Sequence, residues 1–326
     1  MNTCLCRSYG GALALTAENY CADVSAVLVT YQPDTEQLRA TIQAVAGQVA
    51  HIFIVDNGSA DFSSDWCRQF SGQVKSELHL LRQHENFGIG AGHNIGIRHA
   101  IERGSRFVLL LDQDSQVASD MVVRLRSAHG QLEARGISVA ALGARYRDAE
   151  NGALSRFVRV GMGRFEHIGC EDMASTVAAD FLVSSGSLLS VATLRIVGLM
   201  DESLFIDHVD TEWCFRAKAK GLGVFGVCGA VMTHALGEQR KEVWFLRKRI
   251  VPFHKPFRYY YMFRNSVLLY RRTYMPWNWK FADILRCLKM AMFFSWAAEN
   301  RLACLKMMCL GVIDGLKGVS GKRGGL

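Results

Sequence analysis

The chain has 326 residues, 50% of them hydrophobic and 21% charged, with four prolines; it can bury one large core or two modest ones, and the composition excludes a disordered chain. Its formal net charge of +8 is unevenly spread, since residues 237–326 hold 18 Lys and Arg against 5 Asp and Glu while residues 1–236 hold 20 against 25. Mean hydropathy is +0.09, yet no window reaches the roughly 18 uninterrupted apolar residues of a bilayer span. The longest candidates, within 281–316, are broken by Arg286, Lys289, Glu299, Arg301 and Lys306, so no transmembrane helix is expected. Arg7 is the one early positive charge and 12–17 is too short for a signal-peptide core, so a cytoplasmic, reducing compartment is expected. The ten cysteines form no C-x-x-C pair and read as buried or free thiols.

Residues 1–22 have no clear periodicity and are set apart as an extension. The valine-rich run 24–30 predicts a strand buried on both faces, and 35–46 a helix with Leu38, Ile42 and Val45 on one side. A second buried strand, 51–55, stops at the turn cluster Asp56-Asn57-Gly58-Ser59. A weaker strand, 78–81, leads through Asn86-Phe87-Gly88-Ile89-Gly90-Ala91-Gly92-His93-Asn94 into a helix over 91–103. The strand 107–111 ends at Asp112-Gln113-Asp114. Short apolar strands separated by helices make a mostly parallel sheet flanked by helices, an α/β fold whose ligands sit beyond the carboxyl ends of the strands. All three polar clusters fall at those ends. Beyond 120 the pattern gives a helix, a loop-rich stretch to 176, a strand-like 181–183 before Ser184-Ser185-Gly186, a helix over 211–221 and a strand over 223–232 just before His234. From 257 onward the sequence is helical, aromatic and basic.

Two carboxylates at Asp112 and Asp114 repel each other unless a cation joins them, and oxygen ligands suit Mg²⁺ or Mn²⁺ bridging to substrate phosphates. Asp56 can accept the imide N–H of a uracil or thymine ring, or make an ordinary Asx turn. The glycines at 88, 90 and 92 would let backbone approach a ligand, but their spacing and place after the third strand disfavour a nicotinamide fingerprint. Asp207, Asp210 and Glu212 lie in an apolar setting, where one could act as a general base or they could favour a helix N-terminus. His234 gains weight as a metal ligand only beside the acidic pair.

In this order the clusters resemble the family 2 inverting glycosyltransferases with the GT-A nucleotide-sugar fold, from about Val24 to Gly237. Val27-Leu28-Val29-Thr30-Tyr31, Asp56-Asn57-Gly58-Ser59, Asn86-x-Gly88 with Asn94, and Asp112-Gln113-Asp114-Ser115 look like the nucleotide half. The run from Phe205 to Cys214 looks like the acceptor half. Leu111 to Ser115, Ser184-Ser185-Gly186 and Arg264-Asn265 are similar to bacterial rhamnosyltransferases of O-antigen, polysaccharide or rhamnolipid synthesis. The resemblance implies a dTDP-L-rhamnose donor bound by Thr30, Tyr31, Asp56, Asn57, Asn86, Gly88, Asn94, Asp112 and Arg264. It implies a metal at Asp112, Asp114 and His234, an acceptor side with Ser185, Gly186, Glu212 and Trp213, and Asp210 as base. Val209 stands where the family has a Glu, so Asp207 is the alternative base.

The expected organisation is an extension (1–22), a catalytic domain (23–237, with halves 23–120 and 121–237) and a C-terminal helical region (238–326). The acceptor implied is a lipid-linked saccharide or glycolipid. Basic residues interleaved with Tyr259-Tyr260-Tyr261, Trp277, Trp279 and Trp296 point the tail at an anionic membrane surface on the cytoplasmic side rather than at nucleic acid. The stripe Phe281, Ile284, Leu285, Leu288 and Met292 would dock there or pack on the catalytic sheet. A nucleotidyltransferase would carry a glycine-rich basic loop where Thr30-Tyr31-Gln32-Pro33 stands. A non-catalytic binding protein would have no need of Asp112, Asp114 and Asp210 together.

Overall fold

The structure is a computed structural model describing residues 19–60, 62, 66, 74–148, 152–234, 240–245 and 247–324, with the side chains of 234 and 240–252 outside that description. Strand β1 (Cys21–Thr30) pairs in parallel with β2 (Val49–Asp56) and with β4 (Phe107–Asp112), and β2 with β3 (Glu77–Arg82). Helices α1 (Thr35–Val45) and α2 (Ile89–Glu102) cover opposite faces of this block. Val27 and Val29 pack in the layer that holds Ile97 of α2, and Ala26 and Leu28 in the layer that holds Leu38 and Ile42 of α1. A strand covered on both faces reads as an unbroken apolar run, which is why β1 was visible in the sequence.

Two local devices fix these helices. Asp34 caps α1, its Oδ1 accepting the N–H of Glu36 and Gln37 at 3.0 Å. Helix α2 lies close to β1 because it turns glycines toward it: a Cβ on Gly92 would stand 2.6 Å from Val29 Cγ1, and one on Gly96 2.3 Å from Val27 Cγ1. Here these glycines fit protein to protein, not backbone to ligand.

The second half is more varied than the sequence pattern suggested. After β5 (Ser115–Val117) the helix expected beyond 120 is α3 (Met121–Ala134), but the stretch read as loop-rich holds β6 (Val139–Asp148), β7 (Phe157–Val160), β8 (Phe165–Ile168) and β9 (Thr176–Ala178). The strand expected at 181–183 is instead β10 (Ser187–Ser190), and Phe181 makes only an isolated bridge to Val158. Then follow α4 (Val191–Val197), a 3-10 turn (Glu202–Leu204), α5 (Val209–Ala219) and β11 (Gly223–His234). The sheet order is β3-β2-β1-β4-β10-β6-β11-β5, with β9 also on β11. It is parallel through β4, but β10 runs antiparallel to both neighbours, and β5 and β9 run antiparallel to β11. Cys170 and Cys228 form a disulfide, Cα atoms 5.8 Å apart, which corrects the reading of every cysteine as a free thiol; a separation of 58 residues leaves no spacing signal.

The C-terminal region opens with a hairpin, β12 (Arg240–Phe245) and β13 (Arg247–Pro252), which a purely helical reading missed. Helices α6 (Pro256–Tyr270), α7 (Trp277–Ala297) and α8 (Arg301–Lys317) follow. Several residues expected at a membrane boundary are interior instead: Tyr259, Tyr260, Tyr261 and Trp279 are fully buried. Arg286 bonds Asp283 at 2.7 Å and Arg258 pairs with Asp207 at 3.2 Å. Among the described residues, no helix is long and apolar enough to cross a membrane.

Gly96→Ala should cost about 1–3 kcal/mol by overpacking the α2–β1 contact, read as a lower melting temperature, whereas Gly130→Ala on α3, with nothing within 4 Å and no positive φ, should cost nothing or stabilise slightly.

Candidate active site

Register brings the carboxyl ends of the parallel strands level: Thr30 lies beside Asp56, Asp56 beside Arg82, and Val29 beside Asp112. Asp56 is fully buried. Its Oδ1 accepts the Ser59 N–H at 3.3 Å, while Oδ2 has no hydrogen-bond partner and faces Arg82 Nε at 3.7 Å. The buried Thr30 hydroxyl is also unsatisfied. Polar atoms closed off from water without partners are costly, so this end of the sheet offers acceptors to a ligand. Tyr31 is exposed beside it, its N–H donating to Gln113 Oε1 at 2.9 Å.

Asp112 and Asp114 are half-buried on the turn from β4 to β5. The Asp112 N–H donates to Ser185 Oγ at 3.0 Å, and Ser185 Oγ meets Ser115 Oγ at 2.7 Å. Because β5 pairs with β11, the backbone of His234 lies opposite Ser115, one residue past the acidic pair. The side chain of His234 lies outside the described residues.

Asp210 sits in the first turn of α5. Its Oδ2 accepts the Ser184 N–H at 3.2 Å and its Oδ1 the Thr211 N–H at 2.7 Å. Burial pushes its carboxyl above the ordinary range, against the hydrogen bonds that lower it. Adjacent residues thus join two groups far apart in sequence: Ser184 holds Asp210 while Ser185 holds the loop of Asp112.

Several residues expected at the ligand are turned to other work. Ser185 is a strut beneath the acidic loop, and Gly186, at φ +78°, lets the chain pass Met232. Glu212 is buried, chelated by Arg216 at 2.7 and 2.8 Å and bonded by Tyr274 at 2.5 Å; Trp213 is buried with its Nε1–H on the Gly198 carbonyl. A helix turns about 100° per residue, so Glu212 points away from the side of α5 that carries Asp210, whereas Trp213 lies within about 60° of it and is kept inside by burial and its bond to Gly198. Asn57 and Asn86 brace each other's loops at 3.0 Å. Gly88, at φ +90°, passes within contact of the Phe205 backbone. Asn94 spends its amide on the Met200 backbone and Glu202.

Arg264, expected at the donor, is fully buried and belongs to a clamp that the sequence did not reveal. The loop before α5 has three non-glycine residues at positive φ: Phe205 at 63°, Asp207 at 63° and His208 at 64°. Phe205, with ψ −65° and the Ile206 N–H bonded to the Leu204 carbonyl at 2.8 Å, is the centre of a strained γ-turn. Asn265 Nδ2 reaches the carbonyls of Leu204, Ile206 and Asp207 at 2.7–2.9 Å, and Arg264 Nη2 reaches Leu204 O at 2.9 Å. Arg264 is itself bonded to Asn265 Oδ1. Asp207, the alternative base, is tied up in its pair with Arg258.

Residues 25–179, from β1 to β9, match the model of glycosyl transferase family 2. Those residues form a glycosyl transferase family 2 domain. Over 301 residues it is 28% identical to the dTDP-rhamnosyl transferase RfbF of Shigella flexneri, covering 92% of this chain and 97% of that protein. It is 23% identical over 218 residues to the low-salt glycan biosynthesis hexosyltransferase Agl10 of Haloferax volcanii, covering 64% of this chain and 66% of that one. Among solved structures it is similar to GalNAc-T7 with UDP, GalNAc and Mn²⁺, at TM-score 0.59 and 14% identity over 93% of this chain and 57% of that one. It is also similar to S. aureus TarS 1-349 in complex with UDP-GlcNAc, at TM-score 0.52 and 14% identity over 91% and 81%. The shared fold is GT-A. Asp210 and the Arg264–Asn265 clamp both lie beyond the stretch that the family model matches.

Asn265→Ala removes a buried donor from three carbonyls and should cost about 1–3 kcal/mol or more. The loss should appear in thermal melting together with reduced turnover, because the strained loop sets the start of α5.

Proposed function

We propose that this family 2 glycosyltransferase moves a rhamnosyl residue from dTDP-L-rhamnose, with inversion, onto a lipid-linked saccharide in O-antigen or cell-surface polysaccharide synthesis. The observation that carries the reading is the Ser184-Ser185 bridge, which ties a carboxylate of raised pKa and an acidic strand-end turn to adjacent residues. End-to-end likeness to a dTDP-rhamnosyl transferase supports the donor, and the unsatisfied Asp56 Oδ2 suits the imide N–H of a thymine ring. In the reaction Asp210 takes the proton of an acceptor hydroxyl as that oxygen bonds to the anomeric carbon, and the bond from that carbon to the dTDP oxygen breaks on the opposite face. Asp112 and Asp114, with the His234 backbone beside them in register, are the residues that would hold Mg²⁺ or Mn²⁺, which would supply positive charge against the departing diphosphate.

Burial that raises the Asp210 carboxyl has two consequences. Turnover should fall as pH drops through that raised value, so the acid limb of kcat lies above the range of an ordinary carboxylate. The fold favours the protonated form, so this group's contribution to stability is full below its unfolded pKa and is lost as pH rises through the folded one. Asp210→Asn should therefore cut kcat by about 10²- to 10⁴-fold with donor affinity kept and the melting temperature at neutral pH unchanged or higher. The same loss from Asp207→Asn, with Asp210→Asn mild, would move the base to Asp207. The donor is tested by turnover of dTDP-L-rhamnose against UDP- and GDP-sugars; full activity in excess chelator would rule out the metal, and preference for a GDP-sugar would rule out the donor.

The same reading puts the enzyme on an anionic membrane. On α7, Trp277 (82% exposed), Phe281, Ile284, Leu288, Met292 (76%) and Trp296 are exposed and fall within an arc of about 120°. Lys280 and Lys289 lie at its two borders. On α8, Leu302 (79%), Leu305, Ile313 and Leu316 are exposed with Cys309, and Arg301 flanks them on one side and Lys306 and Lys317 on the other. Apolar stripes edged by cations suit the headgroup boundary, and each cation near an anionic surface adds about 1 kcal/mol. Co-sedimentation with anionic vesicles should fall at high salt and fall again in Trp277→Ser with Trp296→Ser; pelleting indifferent to lipid charge and salt, or none, would overturn the docking.

A further inference from the structure

Far from the cleft, at the amino ends of β2 and β3, three side chains aim their ligand atoms at one point. His51 Nδ1 lies 3.4 Å from Glu77 Oε2, His79 Nε2 lies 3.6 Å from the same oxygen, and the two ring nitrogens are 3.4 Å apart. Parallel register produces this triangle: His51 is paired with Glu77, and His79 is two residues further along β3 on the same face. Zinc takes nitrogen and oxygen ligands at about 2.0–2.1 Å in a tetrahedron, whose ligand–ligand edges are then about 3.4 Å. The three measured distances match one face of that tetrahedron.

We propose that His51, Glu77 and His79 bind one Zn²⁺ or a similar borderline transition-metal ion, with the fourth position open to solvent. The donor set is the two-histidine, one-carboxylate kind that suits zinc and contrasts with the all-oxygen ligands of Mg²⁺. The rings are anchored and partly covered: their side chains are 20% and 19% exposed, and His79 stacks on the buried Phe53 ring at 4.8 Å between centroids. Glu77 is 64% exposed, so the carboxylate can close on the ion from the solvent side. Arg103 Nη1 lies 3.4 Å from Glu77 Oε2 on a side chain 52% exposed; on binding, that oxygen passes to the metal and Oε1 remains for the guanidinium. The ion would cross-link the outermost strand to its neighbour, so it acts on the sheet edge and not on sugar transfer.

The test uses the full chain, stripped with chelator, carrying Cys309→Ser to remove an exposed thiol, and kept in excess Mg²⁺ to fill oxygen-ligand sites. Calorimetric titration with Zn²⁺ should give one equivalent, Co²⁺ should give the intense visible bands of tetrahedral coordination, and Zn²⁺ should raise the melting temperature. His79→Gln should weaken Zn²⁺ binding about 100-fold and abolish the Co²⁺ bands, while its metal-free melting and its transferase turnover stay those of the parent, which separates loss of a ligand from loss of the fold. No saturable Zn²⁺ binding, or unchanged binding and spectra in both His51→Gln and His79→Gln, would overturn the proposal.

Discussion

The active end of this molecule depends on a pair of adjacent buried side chains, Arg264 and Asn265, holding a loop that the backbone would not hold alone. Each residue in a sparsely populated region costs about 1–3 kcal/mol, and Phe205, Asp207 and His208 are all at positive φ within four positions. An isolated segment would relax. Here the carbonyls of Leu204, Ile206 and Asp207 are gripped from α6, the Phe205 carbonyl takes the first N–H of α2 at 2.8 Å, and Gly88 supplies the room. The strain is tolerated because α6 and α2 are both anchored in the core, and its outcome is the starting point and direction of α5.

From that constraint the division of the cleft follows. The parallel half brings Asp56 and the Asp112–Asp114 turn level, as any set of parallel strands brings its carboxyl ends level. The mixed half supplies Asp210 and, through β5 on β11, sets the end of β11 against the acidic turn. Ser184 and Ser185 join the halves, one bonded to Asp210 and the other to the acidic loop. Pre-set polar groups of this kind let charge develop without reorganising the surroundings.

What the sequence made legible were features with a local cause. Strands buried on both faces announce themselves as unbroken runs such as 24–30 and 107–111, and polar turns directly after them mark the strand ends. The apolar stripe of Phe281 to Met292 was visible from spacing alone. Features with a distant cause were not. Ser185, Glu212 and Trp213 sit in motifs beside the expected site residues, and only their distant partners, the Asp112 loop, Arg216 with Tyr274, and the Gly198 carbonyl, show that they are held inside the protein. Arg264 looked like a ligand-binding cation because its partners are carbonyls some 60 residues away. The glycine at 92 suggested backbone open to a ligand, whereas it and Gly96 accommodate Val29 and Val27 of β1.

The clamp does not end at α6. Arg264 Nη1 donates to the Gly321 carbonyl at 2.5 Å, the Gly321 N–H returns to Ser203, and the Arg323 N–H meets the Tyr261 hydroxyl at 3.1 Å. The segment after α8 is thus threaded against the loop that sets the start of α5, although more than a hundred residues of chain separate them. Modularity is lost as a result. A chimera that exchanged the C-terminal helices between relatives would also replace the wedge behind α5.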